Sequence, residues 1–342
     1  MGSRWKLLVV WGVSLALTVG LCGAISLAQE GPECTITVQP GESIQAAIDR
    51  APEGAVICLA EGEWEENIVI EKSITLRGEG AQRSVIRWAK EGGIFSVVWI
   101  GSAAEIQVHI ERLAVTKGCW YPGIIIWGSA QVTITESTVS KNSSGIEIGN
   151  WAQATITGST ISENSFSGIV LADWAQATIT GSIVSKNEWD GIVLADWAQA
   201  TITGSTISEN GDYGITVVDS ARGAISESTV SGNELGGIML GASSQATITG
   251  SAVSGNGLDG IILAGSSQAT IEANEILGNG GYGVTLLGGA CSAIDVFTGY
   301  VIGRGNIIPG PGESNRNEGG AICPDELSFL MTEEGGELDR RE

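Results

Sequence analysis

WAQATITGSTISENSFSGIVLAD (151–173) is followed at once by WAQATITGSIVSKNEWDGIVLAD (174–196), two copies of one 23-residue unit. The unit recurs from Trp197, Ser220, Ser243 and Ser266, with a 22-residue version from Ser129 and a looser 24-residue turn around VHIERLAVTKG (108–118). Self-similarity at this period marks a solenoid, in which each unit leaves an apolar edge that only its neighbour can cover. Within a unit, three short stretches alternate apolar and polar residues with period two, separated by turn residues, and none has helical spacing.

The inward positions are predicted to stack as columns. One runs from Ile134 through Ile156, Ile179 and Ile202 to Ile271, and a second from Val139 through Ile161 and Val184 to Ile276. A third, two positions wide, begins at Ile146 and Ile148 and ends at Val284 and Leu286. Nearly every rung is β-branched or Leu, which suits a dry pleated interior. Asn142 to Asn279 recur at one corner, where stacked amides can bond to each other and to turn backbone. Gly145 to Gly283 open the third strand, where a Cβ is expected to have no room. The expected fold is therefore all-β: a right-handed, single-stranded parallel β-helix with coils of about 23 residues. Leucine-rich repeats share the period but need a Leu framework and a helical arm that this chain lacks.

The ends read differently. Residues 1–28 form an export signal: Arg4 and Lys6 precede an uncharged apolar run from Leu7 to Leu27, and Ser26-Leu27-Ala28 offers a cleavage site. An uncleaved membrane anchor is the competing reading, because the run is long enough to span. Cys22 follows Leu21 rather than a small residue, which argues against lipidation. Residues 29–100 are expected to hold an N-terminal cap and the first coils, 101–288 the repeats, and 289–342 a C-terminal cap and acidic tail that abandons the repeat. SIQAAIDRAP (43–52) reads as one short amphipathic capping helix with Ile44, Ala47 and Ile48 on its buried face.

The formal charge is −22, or −24 once Arg4 and Lys6 are removed. So acidic a surface repels nucleic acid phosphates and fits an extracytoplasmic protein, secreted or periplasmic. Export permits disulfides, and Cys34–Cys58 and Cys291–Cys323 are the expected staples of the two ends, with Cys119 left as a buried small hydrophobe.

SIQAAIDRAPEGAVICLAEGEWEENIVIEKSITLRGEG (43–80) resembles the N-terminal region of the pectin-lyase-like superfamily, particularly NosD-type periplasmic proteins. The later coils, with ATITGSTIS, GIVL and the corner Asn, resemble generic parallel β-helix repeats. The resemblance covers roughly residues 36–290 and implies the fold. It does not specify the activity, since that superfamily includes lyases, hydrolases, binding modules and passive rods. The NTD, DD, GHG and RIK patterns of its pectin hydrolases do not occur here. His109, the single histidine, is expected to be an outward strand residue. A NosD-like copper role would need clustered soft ligands, and only Met239, Met331 and His109 remain in the mature chain.

The candidate binding residues lie at one corner. Trp151, Trp174 and Trp197 recur one per coil, beside Asn150, Asp173, Asp196 and Asp219, with Trp127 one position out of register on the preceding coil. Such a row can stack on sugar rings while the polar groups bond to hydroxyls, or the indoles can pack on one another and shield a turn. Asp173, Asp196 and Asp219 are also the candidate calcium ligands, since like charges one strand spacing apart repel and a cation would relieve them. Alternating Lys141, Glu163, Lys186 and Glu209 read as register-setting surface pairs. Thr rows on the first strand resemble an ice-binding face, although Ala224 and Glu272 interrupt them. The third strand turns Val170, Val193, Met239 and Ile262 outward, and either Leu327, Phe329 and Leu330 of the tail or a partner is expected to cover them. The function expected from these features is binding or scaffolding of extracellular or cell-envelope polysaccharide through the Trp/Asp ladder. A polysaccharide lyase or glycoside hydrolase of the same fold is the alternative.

Overall fold

The structure, a computed structural model, describes residues 32–90, 96–118, 120–286, 297–309, 313–314 and 316–341. From Cys34 onward the chain is one compact unit wound as a parallel solenoid. Each regular coil carries three strands, such as Gln153–Thr157, Thr160–Ser162 and Ile169–Leu171. Each pairs in parallel with its counterpart one coil on: Gln153 with Gln176, Ile161 with Val184, Ile169 with Ile192. Among the described residues, first and third strands share one 22-stranded sheet, because the long early strands Val98–Glu111 and Ile124–Thr135 span both positions, and the second strands form a 10-stranded sheet. The strands stay short because left-handed residues end them at fixed places. After the first strand comes Gly158 at φ 56°, after the second Glu163 at 56°, and after the third Asp173 and Trp174 at 54° and 61°.

The apolar columns are interior as expected, with Ile156, Ile179 and Ile202, Val184, Ile192 and Leu194 fully buried. Fully burying each such side chain contributes about 1.5–3 kcal/mol, and the gain exists only when both neighbouring coils are in place. Two polar ladders flank these columns. At the second corner Asn187 Nδ2 donates to Asn210 Oδ1 at 2.9 Å, Asn210 to Asn233 at 2.9 Å and Asn233 to Asn256 at 2.9 Å, while each Oδ1 also accepts the backbone N–H one coil back. The second ladder was not foreseen. Ser159, Ser182, Ser205 and Ser228 are buried, and each backbone N–H donates to the next Ser Oγ at 3.2 Å. It continues through Ser251 to Asn274 and Asn306. Gly191 shows why the third strand opens on glycine: a Cβ there would sit 2.6 Å from the Gly214 carbonyl oxygen and 2.6 Å from Ile207. Lys141–Glu163 and Lys186–Glu209 pair across coils at 3.4 and 3.8 Å, exposed contacts worth a few tenths of a kcal/mol each.

The N-terminal end is capped by the helix Ile44–Arg50, whose Ile44, Ala47 and Ile48 are buried against the first coils. Ser43 caps it by accepting from Ala46 N–H, and Glu66 from the next coil accepts from Ile44 and Gln45 N–H. Cys34, just before the first strand, and Cys58 in the second form the expected disulfide. Cys323 is also disulfide-bonded, but Cys291, its expected partner, lies outside the described residues, as do Cys119 and the export signal. Among the described residues no helix is long and apolar enough to cross a membrane.

The C-terminal expectation needs correction in two respects. The repeat does not stop near 289. Tyr300–Arg304 pairs in parallel with Gln268–Glu272, and Gly320–Cys323 with Tyr282–Thr285, so a further coil is built from strands more widely spaced along the chain. Nor do Leu327 and Leu330 lie on the outer face of the third strand. Asp325–Met331 forms a 3-10 turn that drives Leu327 and Leu330 into the end of the core, and Gly336–Asp339 closes on Tyr300–Gly303 as an antiparallel strand. An open column end exposes far more apolar surface than the scattered valines outside, so the tail goes where its burial gains most.

Candidate functional site

The corner after the third strand is a tight turn. Ala175 N–H donates to Ala172 O at 3.0 Å, with both intervening residues at positive φ, the pattern of a type I′ turn. Asp and Asn tolerate the first left-handed position, which accounts for Asn150, Asp173, Asp196 and Asp219 without any ligand. Among the described residues no three His, Cys, Asp or Glu side chains converge to hold a metal, so the geometry lends the calcium expectation no support.

Trp at the second left-handed position is costly, by about 1–2 kcal/mol for a residue with a Cβ. The indoles offset it. Trp151 and Trp174 lie with ring centroids 4.9 Å apart and 4° between planes, and Trp174 and Trp197 at 5.0 Å and 7°. Each stacked pair contributes about 1 kcal/mol. The ring faces point along the solenoid axis onto each other, so the row shows solvent its edges. Trp174, covered on both faces, is 41% exposed, against 60% for Trp151 and 51% for Trp197. A sugar can stack only at an end of the row.

At the Trp151 end there is room for one. A cavity of about 400 Å³ is lined there by Trp99, Trp127, Trp151, Asn150, Glu71 and Ser102. Trp127 lies against Gly149 and, because Ile126 pairs with Ile148, stands two positions before the stacked corner rather than one. Trp99 was not anticipated. It belongs to an early coil without the repeat, and its ring rests over Gly101.

From this aromatic cavity a trough runs along the outer face of the first strands. A cavity of about 280 Å³ shares Trp151 and Ser129 with the aromatic one and reaches Gln131 and Gln153. Two more, of about 330 and 250 Å³, continue from Gln153 to Tyr300. The trough is made by register. The Gln row is Gln131, Gln153, Gln176 and Gln199, then Arg222, Gln245 and Gln268, and beside it runs the Thr row with Thr155, Thr178, Thr201, Ala224, Thr247 and Thr270. His109 extends the Thr row towards the N-terminal end, between Thr75 and Thr133, exposed as expected.

A sequence model described as "Right handed beta helix region" matches residues 122–219 and 167–307, together 122–307 or 186 of the 342 residues. The chain belongs to this right-handed β-helix family. No curated protein is significantly similar to it in sequence. Among solved structures it resembles the A-module of the Azotobacter vinelandii mannuronan C-5 epimerase AlgE4, with TM-score 0.62, 21% identity, and 80% of this chain and 84% of that one covered. It also resembles the periplasmic alginate epimerase AlgG (TM-score 0.58, 16% identity, 84% and 80% covered). The pectate lyase Pel9A is similar too (TM-score 0.51, 16% identity, 71% and 76% covered). At these identities the likeness is one of fold.

The third outer face of this β-helix carries half-buried and buried carboxylates. Desolvation holds Glu147, Asp190 and Asp259 above the ordinary carboxylate range, although Asp190 accepts from Thr216 Oγ1 at 2.8 Å and Asp259 accepts from Tyr282 N–H. A carboxyl whose folded pKa is raised costs stability once ionised. That cost is present above the folded value and disappears as pH falls through it. The melting temperature is therefore expected to hold or rise from pH 7 down to about 4.5, just above the ordinary carboxylate range. A scan showing a steady fall over that interval would contradict the assignment.

Proposed function

We propose that the protein is an exported β-helix that binds or scaffolds extracellular or cell-envelope polysaccharide and does not turn it over. One observation carries the reading: an aromatic cavity opens directly into a long trough of amides and hydroxyls, with Trp151 and Ser129 lining both. The uncovered face of Trp151 offers a platform for one sugar ring, with Asn150 and Glu71 to bond its hydroxyls. Further sugars lie along the Gln and Thr rows, where each group donates and accepts. Binding is favoured over turnover because the amides and aliphatic hydroxyls along most of the trough hold substrate hydroxyls but do not exchange protons near neutral pH, while the carboxylates, Glu71 and Glu105, stand only at its aromatic end. The fold's solved relatives include proteins named for mannuronan, alginate and pectate, which agrees with a polysaccharide partner. The Cys34–Cys58 disulfide and the leader sequence agree with an oxidising compartment outside the cytoplasm.

A glycan array followed by reducing-sugar and unsaturated-product assays tests this. Retention without product supports binding, and product formation overturns it in favour of a lyase or hydrolase. The Trp row supplies a matched pair of variants. Trp151→Ala and Trp197→Ala each remove one stacked pair, so each is expected to cost about 1 kcal/mol in stability. Only Trp151→Ala should abolish retention. Equal retention in both variants would remove the aromatic cavity from the binding site.

A further inference from the structure

The outer face of the third strands lies across the Trp corner from the trough and has a different chemistry. Val170, Val193, Thr216 and Met239 stand in register along it, each half-buried. Beside them the second-corner turns present Phe166, Trp189, Leu235 and Leu258, one per coil, with Asp212 in the middle of the row. Backbone bonds hold that row in line, Asp212 N–H donating to Trp189 O and Leu235 N–H to Asp212 O. Phe166, Trp189 and Leu258 are exposed, and Phe166 meets Trp189 edge to face at 4.9 Å. From each corner Asn to the end of its third strand, the coils of Asn142 to Asn256 carry Glu147, Glu188, Asp190, Asp212, Glu234 and Asp259 and no Lys, Arg or His. One residue before the corner Asn, by contrast, Lys141 pairs with Glu163 and Lys186 with Glu209. The exposed side chains of Glu188 and Glu234 have no hydrogen bond or ion pair to another described residue.

We infer that this face docks a cationic amphipathic helix of a partner protein, with the helix's apolar stripe on Phe166, Trp189 and the row from Val170 to Met239 and its Lys and Arg against Glu188, Asp212 and Glu234. The inference concerns a second face and does not rest on the glycan reading. The face of a sheet has no free backbone groups to offer, so a segment lying on it must satisfy its own, as a helix does. From the Phe166 coil to the Leu258 coil is about 19 Å, the length of about 13 residues of helix. One helical turn rises about 5.4 Å against about 4.8 Å per coil, so successive turns meet successive coils. Apolar contact supplies the affinity, and the acids select the sign of the partner's charge. A second copy of this chain fits less well, because a two-fold contact sets a patch against itself and here brings acids onto acids.

The test uses the purified protein and two fluorescently labelled peptides of about 18 residues made of Leu and Lys, one with Leu at helical spacing and one of the same composition scrambled. Binding is followed by fluorescence anisotropy. The amphipathic peptide is expected to bind about tenfold or more tightly than the scrambled one, and more weakly in high salt. Glu188→Lys/Glu234→Lys should lower that affinity about tenfold or more, with an unchanged melting temperature. Glu227→Lys/Glu275→Lys, an equal change of charge at exposed sites outside this face, should leave it within about twofold. Trp189→Ser should weaken it as well. Absence of binding, equal affinity for the two peptides, or equal losses in the two charge-reversed pairs overturns the inference. A concentration-dependent dimer that Trp189→Ser dissociates overturns it too, by giving the face to a second copy.

Discussion

Replacing Ile202 with Asp is expected to cost at least about 4–5 kcal/mol and to unfold the central coils first. Ile202 is fully buried, with Ile179 directly below it and Ile225 directly above in the paired strands. The substitution loses the burial of the Ile side chain and places a carboxylate where no donor is available. In a solenoid each coil is stabilised mainly by its two neighbours, so one failed coil divides the stack into two shorter ones. Hydrogen exchange should show protection lost around residues 179–225 before it is lost elsewhere. Ile202→Val, which keeps the shape, should cost only about 1 kcal/mol. An Ile202→Asp protein that melts like the wild type would mean that this column is not the interior.

The second large effect is expected from Asn210→Leu, a change of similar volume in the corner ladder. Asn210 Oδ1 accepts from Asn187 Nδ2 at 2.9 Å and from Asn187 N–H at 3.1 Å, while its own Nδ2 reaches Asn233 Oδ1 at 2.9 Å and Val184 O at 3.3 Å. All three Asn side chains are buried. Leucine leaves two donors on Asn187 without an acceptor and without access to water, and each such orphan costs about 1–3 kcal/mol. A loss of about 3 kcal/mol or more is expected in denaturant titration, with an unchanged m-value. If the loss is below about 1 kcal/mol, the ladder is ornament to the corner and the glycine-led turn alone sets its shape. Ser205→Ala in the parallel Ser ladder should cost less, because the hydroxyl at each rung receives a single inter-coil N–H.

The two variants probe features of different legibility. The Ile columns and the Asn corner could be read directly from the chain because a strict 23-residue step puts like residues on like residues. The Ser ladder had the same periodic signal in Ser159, Ser182, Ser205 and Ser228. It went unread because Ser before a strand looks like an ordinary turn residue, and only the depth of burial distinguishes the two. The extra C-terminal coil was hidden for the opposite reason. Tyr282–Leu286, Tyr300–Arg304 and Gly320–Cys323 are unevenly spaced along the chain, so periodicity no longer marks strands that still pair in register.

By itself the amino-acid sequence determined the solenoid, its period, which residues face inward and which share a corner, since all of these follow from repetition at fixed spacing. Only the tertiary structure decided which way the indoles turn, because that depends on two consecutive left-handed residues in each corner, and a residue's identity does not set the orientation of its ring. The aromatic cavity likewise required the packing of irregular early coils that place Trp99 and Trp127 beside Trp151. That no carboxylate lines the two cavities from Gln153 to Tyr300 is tertiary for the same reason. Spacing places a residue in a row, but which other side chains come close to that row is decided by how the coils wind and where the acids of neighbouring faces point.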